Sequence, residues 1–340
     1  MVTLGYIKSN QEAVVALLKA HGLTDDAAAA KHALFADAAS QLNSLGHSDD
    51  VKCHCYWVPG RIEVVGKHTD YAGGRSLLCA IPLGFACVAV DNDDGIVNVV
   101  SEFGGSEHKA ALVVSPDLEP NPAHWWNYPA TVIRRLARNF GIKHGCDVSI
   151  RCDLPQSSGM SSSSAMVCAM WLVLNDRNKI EETPEFKEHL STKEELFSYL
   201  GFIENGQDAP GLPGDKGVGT FGGSEDHTAI MSGERGKLKM FSYCPTQYLG
   251  EFSFPADLTF VVAVSGAEAE KTGNAMADYN NAAFLARDAG IAWTKASKDA
   301  GEEVPKPWNG QNLNLSEIVR HVSGRIGLPA THPLVMEVCC

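Results

Sequence analysis

Residues 59–71 place a dense polar cluster directly after a β-branched apolar run. The run, residues 62–65, has the composition of a buried strand, and Lys67, His68 and Asp70 follow it closely. Charged groups at the end of a buried strand cost free energy unless they are paired or bind something. A carboxylate, an imidazole and cations that lie so close together can hydrogen-bond several hydroxyl groups at once. The stretch therefore predicts a strand that ends in a binding site for a small polyol or sugar.

The length and charge of the chain narrow the classes of partner. A chain of 340 residues exceeds one ordinary core and predicts two domains. The formal net charge is −13 and there is no run of Lys or Arg, which argues against nucleic acid and anionic membranes as partners. We find no secretion signal and no apolar run that could cross a membrane. The ten Cys form no zinc pattern, so we expect a reduced, cytoplasmic protein.

Hydrophobic periodicity predicts helices and strands that alternate unevenly. Residues 10–45 indicate two or three helices, and short β-type runs begin at Cys53. A composition shift near Pro255 suggests a domain boundary. We therefore predict an α+β fold rather than a doubly wound parallel sheet, with a helical extension (1–50), a first domain (51–255) and a second domain (256–340). Beyond the short runs, we expect helices over 125–140, 161–174 and 267–289, helical structure over 176–200, strands over 147–152 and 258–264, and a glycine-rich loop over 211–223.

A second polar constellation, residues 154–165, follows a strand and opens a helix. Gly159 can take backbone angles that other residues avoid, and the free N–H groups at a helix start attract anions. The serines at 161–164 add hydroxyl donors and a hydroxyl that could bind Mg²⁺. No Gly-Lys-Ser/Thr follows, so this is not a Walker A loop. The alternative is a serine-rich N-cap before a buried helix.

A third constellation, residues 217–229, is a glycine-rich approach to two acids and an imidazole. The glycines would let the backbone come close to a ligand. Asp226 or Glu225 could accept a proton from a hydroxyl nucleophile. The alternative is an ordinary helix start capped by Ser224, with acids that the helix dipole favours in the first turn.

Taken together and in this order, the three constellations resemble the sugar kinases of the GHMP superfamily, and the galactokinases most closely. The sugar signature of that family appears at residues 60–71, its phosphate loop at 155–163 with Met160 for Leu, and its catalytic Asp at Asp226. Its Trp-x-Asn-Tyr element matches residues 125–128, and its Tyr near the sugar matches Tyr279. The resemblance covers residues 51–285. It implies a two-domain kinase whose active site lies in the cleft between an N-terminal and a C-terminal α+β domain.

The resemblance implies ATP-dependent phosphorylation of a sugar at its anomeric hydroxyl. Asp226 would take or orient the hydroxyl proton. Arg61 would keep Asp226 ionised and would stabilise charge on the transferred phosphoryl group. The implied sugar-binding residues are Lys67, His68, Asp70, Glu225 and Tyr279.

The same resemblance implies ATP and Mg²⁺ as cofactors. The phosphate loop would hold the nucleotide, and Trp125 would contact its adenine unless it is a core aromatic. Ser163 is the implied Mg²⁺ contact; Glu204 is a candidate second ligand, although its position also fits a solvated helix residue. The implied nucleotide-binding residues are Trp125, Pro155, Ser158, Gly159, Ser161, Ser162 and Ser163.

The sequence departs from the galactokinase pattern at Lys67, where that family carries Glu. A cation with three donors replaces a group that only accepts hydrogen bonds, which inverts what the position can bind. One hypothesis is a substrate with a C6 carboxylate, such as galacturonate. The alternative is that Lys67 turns outward or pairs with Glu63, and that the substrate is galactose. Ser157 also replaces a Gly of the phosphate loop.

The late Gly-Gly-Gly-Phe-Gly-Gly loop of the galactokinases does not appear after Tyr279. The chain is then either a fragment or a branch that dispenses with the last part of its second domain. A sugar- and ATP-binding sensor with little turnover is therefore a competing function, against which the presence of Arg61 and Asp226 argues. A kinase of mevalonate or homoserine fits the phosphate loop but not the polar cluster at 66–71, because such substrates offer few hydroxyls.

Overall fold

The computed structural model describes residues 1–103, 106–122, 124–155, 159–263, 276–308 and 312–325. Within these ranges the chain forms a mixed α+β fold, which confirms the predicted class. The strands are Val2–Thr3 (β1), Lys52–Val65 (β2), Arg75–Asp91 (β3), Ile96–Phe103 (β4), Ser106–Val113 (β5), Cys146–Cys152 (β6), Lys237–Ser242 (β7) and Gln247–Ser253 (β8). The helices are Leu4–Ser9 (α1), Gln11–Ala20 (α2), Asp25–Ser44 (α3), Asn127–Phe140 (α4), Ser162–Asn178 (α5), Pro184–His189 (α6), Lys193–Asn205 (α7), Glu225–Ser232 (α8), Met276–Asp299 (α9) and Leu315–Arg325 (α10).

One sheet organises this fold, in the strand order β1-β2-β3-β6-β4-β5. Strands β4 and β6 pair in parallel, and the other neighbours along this path pair antiparallel. The long strand β3 pairs with β6 through residues 85–91 and with β7 through residues 75–78, and β8 extends the sheet beyond β7. Strand β2 runs beside β3 over most of its length, so its end is held by a central strand of the sheet.

Both faces of the sheet are covered, as the side chains of β3 show. Successive side chains of a strand point to opposite faces. Along residues 85–90 the odd-numbered side chains belong to one apolar core and the even-numbered side chains to a second. The first core also contains residues of α4, α5 and α7, whereas the second contains residues of α1, α2 and α3. The N-terminal helices therefore cover the second face of the sheet.

A buried ion pair joins these helices to the end of β6. Lys31 of α3 is 3% exposed and pairs with Asp153, just beyond β6. The second oxygen of that carboxyl group accepts a hydrogen bond from the backbone N–H of Gly84, at 2.8 Å. Because both groups of the pair have hydrogen-bonding partners, the charge is compensated within the fold.

The glycine-rich segment after α7 is anchored by a second buried ion pair. Arg134 of α4 donates to Asp215 at 2.7 Å, and the two side chains are 4% and 2% exposed. Arg134 also donates to the carbonyl oxygens of Leu118 and Gly217. One guanidinium thus holds a loop that contains few side chains of its own to pack.

The structure confirms several predictions made from periodicity. Residues 10–45 form helices, 147–152 lie in a strand, and 211–223 form a loop. Gly141 ends α4 in a left-handed conformation, as a helix stop should. The separate runs predicted near 56–65 and 77–90 are two long strands, because the turn residues between the runs lie within β2 and β3.

One strand prediction is wrong. Residues 258–263 form neither a strand nor a buried segment, and Val261 is 85% exposed. An apolar run alone does not show whether a partner strand is available. The predicted helix at 267–289 corresponds to α9 only from Met276 onward, because residues 264–275 lie outside the described residues. In the described part of the chain no helix is both long and apolar enough to cross a bilayer.

The buried pair of α4 gives a first testable prediction. Asp215→Ala leaves the Arg134 charge buried without its carboxylate, so we expect the free energy of unfolding to fall by about 3–5 kcal/mol. Glu119→Ala is the matched control, because Glu119 pairs with Lys216 at 3.2 Å in side chains that are 81% and 69% exposed. The control should cost less than about 1 kcal/mol. Urea unfolding of both variants would measure this, and similar losses would contradict the anchoring role of Asp215.

Candidate active site

A cavity of about 250 Å³ opens where the three polar constellations meet. Its wall is built from the end of β2, the turn after it, the loop before α5 and the first turn of α5, the end of α7, residues 220, 222 and 223, and the start of α8. The charged and imidazole side chains among its lining residues are Arg61, Glu63, Lys67, His68, Asp70, Glu204, Glu225, Asp226 and His227.

Arg61 and Asp226 form an ion pair in the cavity wall. The guanidinium atoms Nε and Nη2 lie 2.7 and 2.6 Å from Asp226 Oδ1. A third nitrogen, Nη1, donates to the carbonyl oxygen of Gly159 at 2.6 Å. Burial lowers the pKa of Arg61, but the negative charges of Asp226 and then Glu63 outweigh it, so that the pKa is raised overall. The guanidinium therefore remains a permanent cation beside Asp226.

The pair is positioned by local features of both elements. Register shifts in the pairing of β2 with β3 lie on either side of Arg61, between Pro59 and Arg61 and between Glu63 and Val65. Such irregularities redirect the side chains of a strand. Asp226 lies in the first turn of α8, where the helix dipole favours a carboxylate.

The start of α5 approaches the same carboxylate. Ser161 Oγ donates to Asp226 Oδ2 at 2.5 Å, and Ser164 Oγ lies 3.4 Å from the same oxygen. Gly159 and Ser161 both have positive φ angles, of 70° and 60°. A Cβ on Gly159 would meet no atom within 4 Å, so backbone conformation rather than space favours glycine there.

The structure contradicts both capping alternatives. Ser161 and Ser224 precede α5 and α8, but neither side chain makes a capping hydrogen bond. The hydroxyl of Ser161 donates to Asp226 instead, and that of Ser224 lies 3.0 Å from Thr246 Oγ1. The first turn of α5 therefore keeps backbone N–H groups that no serine side chain caps, as an anion site requires.

Asp70 also lines the cavity, and it is 6% exposed. One of its oxygens, Oδ2, accepts a hydrogen bond from the backbone N–H of Glu225 at 3.1 Å. A Cβ on Gly223 would come within 2.1 Å of that oxygen, so the close approach requires glycine. Burial raises the pKa of Asp70 to about 6, against the lowering effect of the Glu225 hydrogen bond.

The other predicted sugar-binding residues do not share one position in the structure: two lie at the cavity mouth and one lies in α9. Lys67 and His68 line the cavity and are exposed at its mouth. Lys67 forms no ion pair with a residue in the described ranges, whereas Glu63, its alternative partner, pairs with Arg61. Tyr279 lies in α9, but its side chain is outside the described residues. Its neighbour Asn280 is hydrogen-bonded to the backbone of residues 219 and 221, which docks α9 on the glycine-rich loop.

The predicted nucleotide-binding residues are only partly gathered here. Gly159 lines the cavity, and Ser161 donates to Asp226, so both lie at the centre of the site. Ser162 begins α5 and Ser163 follows it, whereas Ser158 lies outside the described residues. Trp125 packs against the first core beside His108 and, like Pro155, is not among the residues that line this cavity.

Glu204 is a cavity residue rather than a solvated helix residue. Its carboxylate accepts a hydrogen bond from Ser164 at 2.9 Å and lies 3.0 Å from Nε2 of His227. The side chain of Glu204 is 15% exposed and that of His227 is 2% exposed. Ser163, the other predicted metal contact, is hydrogen-bonded to Tyr128, whose pKa is raised mainly by burial and then by the charge of Glu204.

These oxygen donors fit Mg²⁺ in kind, although they are fewer than an all-protein metal site would need. Across the described ranges, no three His, Cys, Asp or Glu side chains cluster as a metal would require. Mg²⁺ prefers oxygen ligands and commonly takes one or two carboxylates, with water and substrate phosphates completing its shell. Glu204 with a serine hydroxyl meets that minimum.

Sequence reasoning assigned no role in the site to Glu63 or His227, and it named Ser164 only as one of the serines at the helix start. Glu63 has a signal in the sequence, because residues i and i+2 of a strand share a face and Arg61 was already predicted. His227 is buried beside Glu204 only because α7 and α8 pack together, and this packing has no local signature in the sequence.

Two family models match the chain in regions that contain much of this site. The model for the GHMP kinases N terminal domain matches residues 127–212, and the model for the galactokinase galactose-binding signature matches residues 45–90. The second match includes Arg61, Lys67, His68 and Asp70. The first includes the helix start at Ser161.

Curated relatives match a limited part of the chain. A galactokinase of Exiguobacterium sibiricum is 36% identical over 124 residues, which are 36% of this chain and 32% of that protein. A galactokinase of Bacillus subtilis is 29% identical over 120 residues, or 35% of this chain and 31% of that protein. The matched region thus spans about a third of the length of these relatives.

A solved galactokinase has a similar fold. The structure of Lactococcus lactis galactokinase complexed with galactose superimposes with a TM-score of 0.55 at 20% identity, covering 89% of this chain and 69% of that one. At this level of identity the likeness concerns the fold alone. The chain thus contains one region similar to the GHMP kinases N terminal domain and one similar to the galactokinase galactose-binding signature, in a fold similar to that of a galactokinase.

Proposed function

We propose that this protein is an ATP-dependent sugar kinase that phosphorylates the anomeric hydroxyl of galactose or a closely related sugar. The observation that carries the proposal is the Arg61–Asp226 ion pair in a cavity wall beside the start of α5. This arrangement brings a candidate base, a fixed cation and an anion-binding helix start together. The galactose-binding signature at residues 45–90 supports galactose as the first candidate substrate.

Asp226 is the proposed base or orienting group for the sugar hydroxyl. Its Oδ1 is held by Arg61, and its Oδ2 accepts a hydrogen bond from Ser161. A carboxylate fixed at both oxygens cannot rotate freely, so it presents its remaining lone pairs in a defined direction. In phosphoryl transfer such positioning supplies much of the catalysis, because the transition state needs little covalent help from the protein.

Arg61 is the proposed stabiliser of charge on the phosphoryl group. Its Nη1 reaches the carbonyl oxygen of Gly159, so the cation lies between Asp226 and the start of α5. A phosphate bound by the N–H groups of α5 would meet this cation in a largely dehydrated setting, where electrostatic stabilisation is strong. ATP is the implied phosphate donor.

Mg²⁺, held by Glu204 with a hydroxyl of Ser163 or Ser164, would neutralise negative charge on the phosphates of the nucleotide. The protein groups around it act independently of the metal. Ser164 donates to the carboxylate of Glu204 at 2.9 Å and His227 lies 3.0 Å from it, so its orientation is set before any ligand binds.

The sugar would be read by hydrogen bonds from the other polar residues that line the cavity. Asp70 and Glu225 lie inside the cavity, and Lys67 and His68 lie at its mouth; Tyr279 remains a predicted contact. Inside the cavity the carboxyl groups outnumber the cations, which disfavours a sugar that itself carries a carboxylate. The contact of Arg61 with Asp226 also favours turnover over a sensor function.

The eight described cysteines are free thiols, which supports a cytoplasmic location.

The direct test is ADP release with ATP, Mg²⁺ and three sugars: galactose, arabinose and galacturonate. We expect the highest kcat/KM with galactose and the lowest with galacturonate, because carboxyl groups outnumber cations among the described residues that line the cavity. Calorimetric binding of each sugar and of ATP is measured in parallel. Binding of both ligands without ADP release would support a sensor, and a preference for galacturonate would overturn the proposed substrate.

Asp226→Asn tests the proposed base. The amide keeps the shape of the side chain but accepts a proton poorly, so we expect kcat to fall by about 10²- to 10⁴-fold. Galactose and ATP should still bind with dissociation constants within about threefold of the wild type, since the lost role concerns proton transfer. Asp257→Asn, at an exposed turn, is the control. A wild-type kcat in Asp226→Asn would rule this residue out as the base.

Asp70→Asn tests whether the buried carboxyl group of Asp70 contributes to sugar binding while it lowers the stability of the protein. A raised pKa means that the folded state holds the proton more tightly than the unfolded state, so stability falls as pH rises from about 4 to 6. At pH 8 the variant should be more stable than the wild type by about 1–3 kcal/mol, and this advantage should shrink at pH 4.5. Its affinity for galactose should fall at least about tenfold.

The measurements are urea unfolding at both pH values and calorimetric titration of galactose. Asp25→Asn is the control, because Asp25 is an exposed carboxylate whose pKa is lowered by Lys19. It should be slightly less stable than the wild type at pH 8. The free energies of unfolding of Asp70→Asn and the wild type could instead differ by the same amount at both pH values. In that case ionisation of Asp70 would not be what lowers the stability of the wild type.

A further inference from the structure

Arg61 holds a second carboxylate besides Asp226. Glu63 lies two positions further along β2, so its side chain leaves the strand on the same face. Its Oε2 lies 3.0 Å from Arg61 Nη2, and the side chains of Arg61 and Glu63 are each 6% exposed. One guanidinium is thus shared by two carboxyl groups, the buried Glu63 and Asp226, whose side chain is 19% exposed. Two negative charges facing one cation in a dehydrated wall would repel each other unless a further group relieves them.

The group in contact with Glu63 is Glu225. Glu225 is 4% exposed and also lines the cavity, and its carboxyl group lies close enough to that of Glu63 for a hydrogen bond. A hydrogen bond between two carboxyl groups requires a proton, because ionised carboxylates only accept. In the described part of the chain, Oε1 of each residue is buried without any N–H or hydroxyl donor. A shared proton satisfies the pair.

The surroundings identify Glu225 as the member that carries the proton. Burial raises the pKa of Glu225, and the hydrogen bond to Glu63 and the charge of Asp70 raise it further. The ionisable groups that face it are Glu63, Asp70, Asp226, Arg61 and Tyr243. Glu63, in contrast, touches the guanidinium directly and remains the anion of the pair.

We propose that Glu63 and Glu225 form a proton-sharing positioning pair, in which neutral Glu225 donates to anionic Glu63 and Glu63 fixes the guanidinium of Arg61 against Asp226. This inference rests on the proposed kinase function. Asp226, Glu63 and the carbonyl oxygen of Gly159 then surround the guanidinium, so that its plane is set by three acceptors. The pair does not touch the reacting atoms; it acts through Arg61. A misplacement of about 1 Å at such a group can lower the rate about 10²-fold.

The proposal makes the two glutamates respond differently to the same kind of change. Glu225→Gln keeps a neutral side chain that can donate to Glu63, so its kcat should be at least about tenfold above that of Glu225→Leu. Glu225→Leu removes the donor and should lower kcat at least about tenfold. Glu63→Gln removes the anion that holds Arg61 and should lower kcat about 10- to 100-fold. In Glu63→Gln the dissociation constant for galactose should change by less than about threefold, because the effect falls on positioning rather than on binding.

The assays are steady-state ADP release and calorimetric titration of galactose on the full chain, with urea unfolding to confirm that each variant is folded. Glu251→Gln, which alters an exposed ion pair with Lys237, is the matched control. If Glu225→Gln lost as much activity as Glu225→Leu, or if Glu63→Gln kept the wild-type kcat, the proposal would be overturned.

A second measurement does not depend on activity. At neutral pH the wild type should show the infrared carbonyl band of a buried protonated carboxyl group, and that band should disappear in Glu225→Gln. Its persistence in Glu225→Gln, or its absence from the wild type, would overturn the shared proton. If the wild type released no ADP with any sugar but showed the band, the kinase function would fail while the carboxyl pair stood.

Discussion

The ion pair of Arg61 and Asp226 is the interaction on which the rest of the site depends. It joins β2 to the first turn of α8 across 165 positions of sequence. Charges taken out of water lose hydration, and their attraction compensates only when the geometry is good and the remaining polar atoms are satisfied. Gly159 and Ser161 supply such contacts at the start of α5. The pair therefore also fixes the proposed anion site relative to the proposed base.

A stiff support is needed to hold such a pair. Strand β2 lies against β3, which is buried on both faces, and close-packed cores resist small displacements. The N-terminal helices contribute here although none of their residues lines the cavity, because they cover the second face of the sheet. The glycine-rich loop is held in a different way, by buried Arg134 and by Asn280 of α9. Rigid strands thus carry the ion pair, and polar anchors carry the loop beside it.

Local chemistry explains which parts of the site could be predicted from the sequence. Asp70 follows a strand directly and Asp226 opens a helix after glycines, so both carry their context within a few residues. Glu204 and His227 come together only through the packing of α7 against α8, which single-sequence periodicity does not reveal. The wrong strand prediction at 258–263 has the same cause, because it too depends on contacts that the local sequence does not reveal. Its composition suits a strand, but whether a strand forms depends on a neighbour that the run does not specify.

The distribution of charge separates the two proposed ligands. A chain with a formal net charge of −13 repels an anionic nucleotide at long range, so the nucleotide must be attracted locally. The helix start of α5 and Arg61 supply that attraction. Asp70 presents carboxyl oxygen atoms to the same cavity, and these suit a neutral sugar rich in hydroxyl donors. Arg61 contacts both Asp226 and the carbonyl oxygen of Gly159, so it lies between the proposed base and the proposed anion site, and the anions around it keep it there.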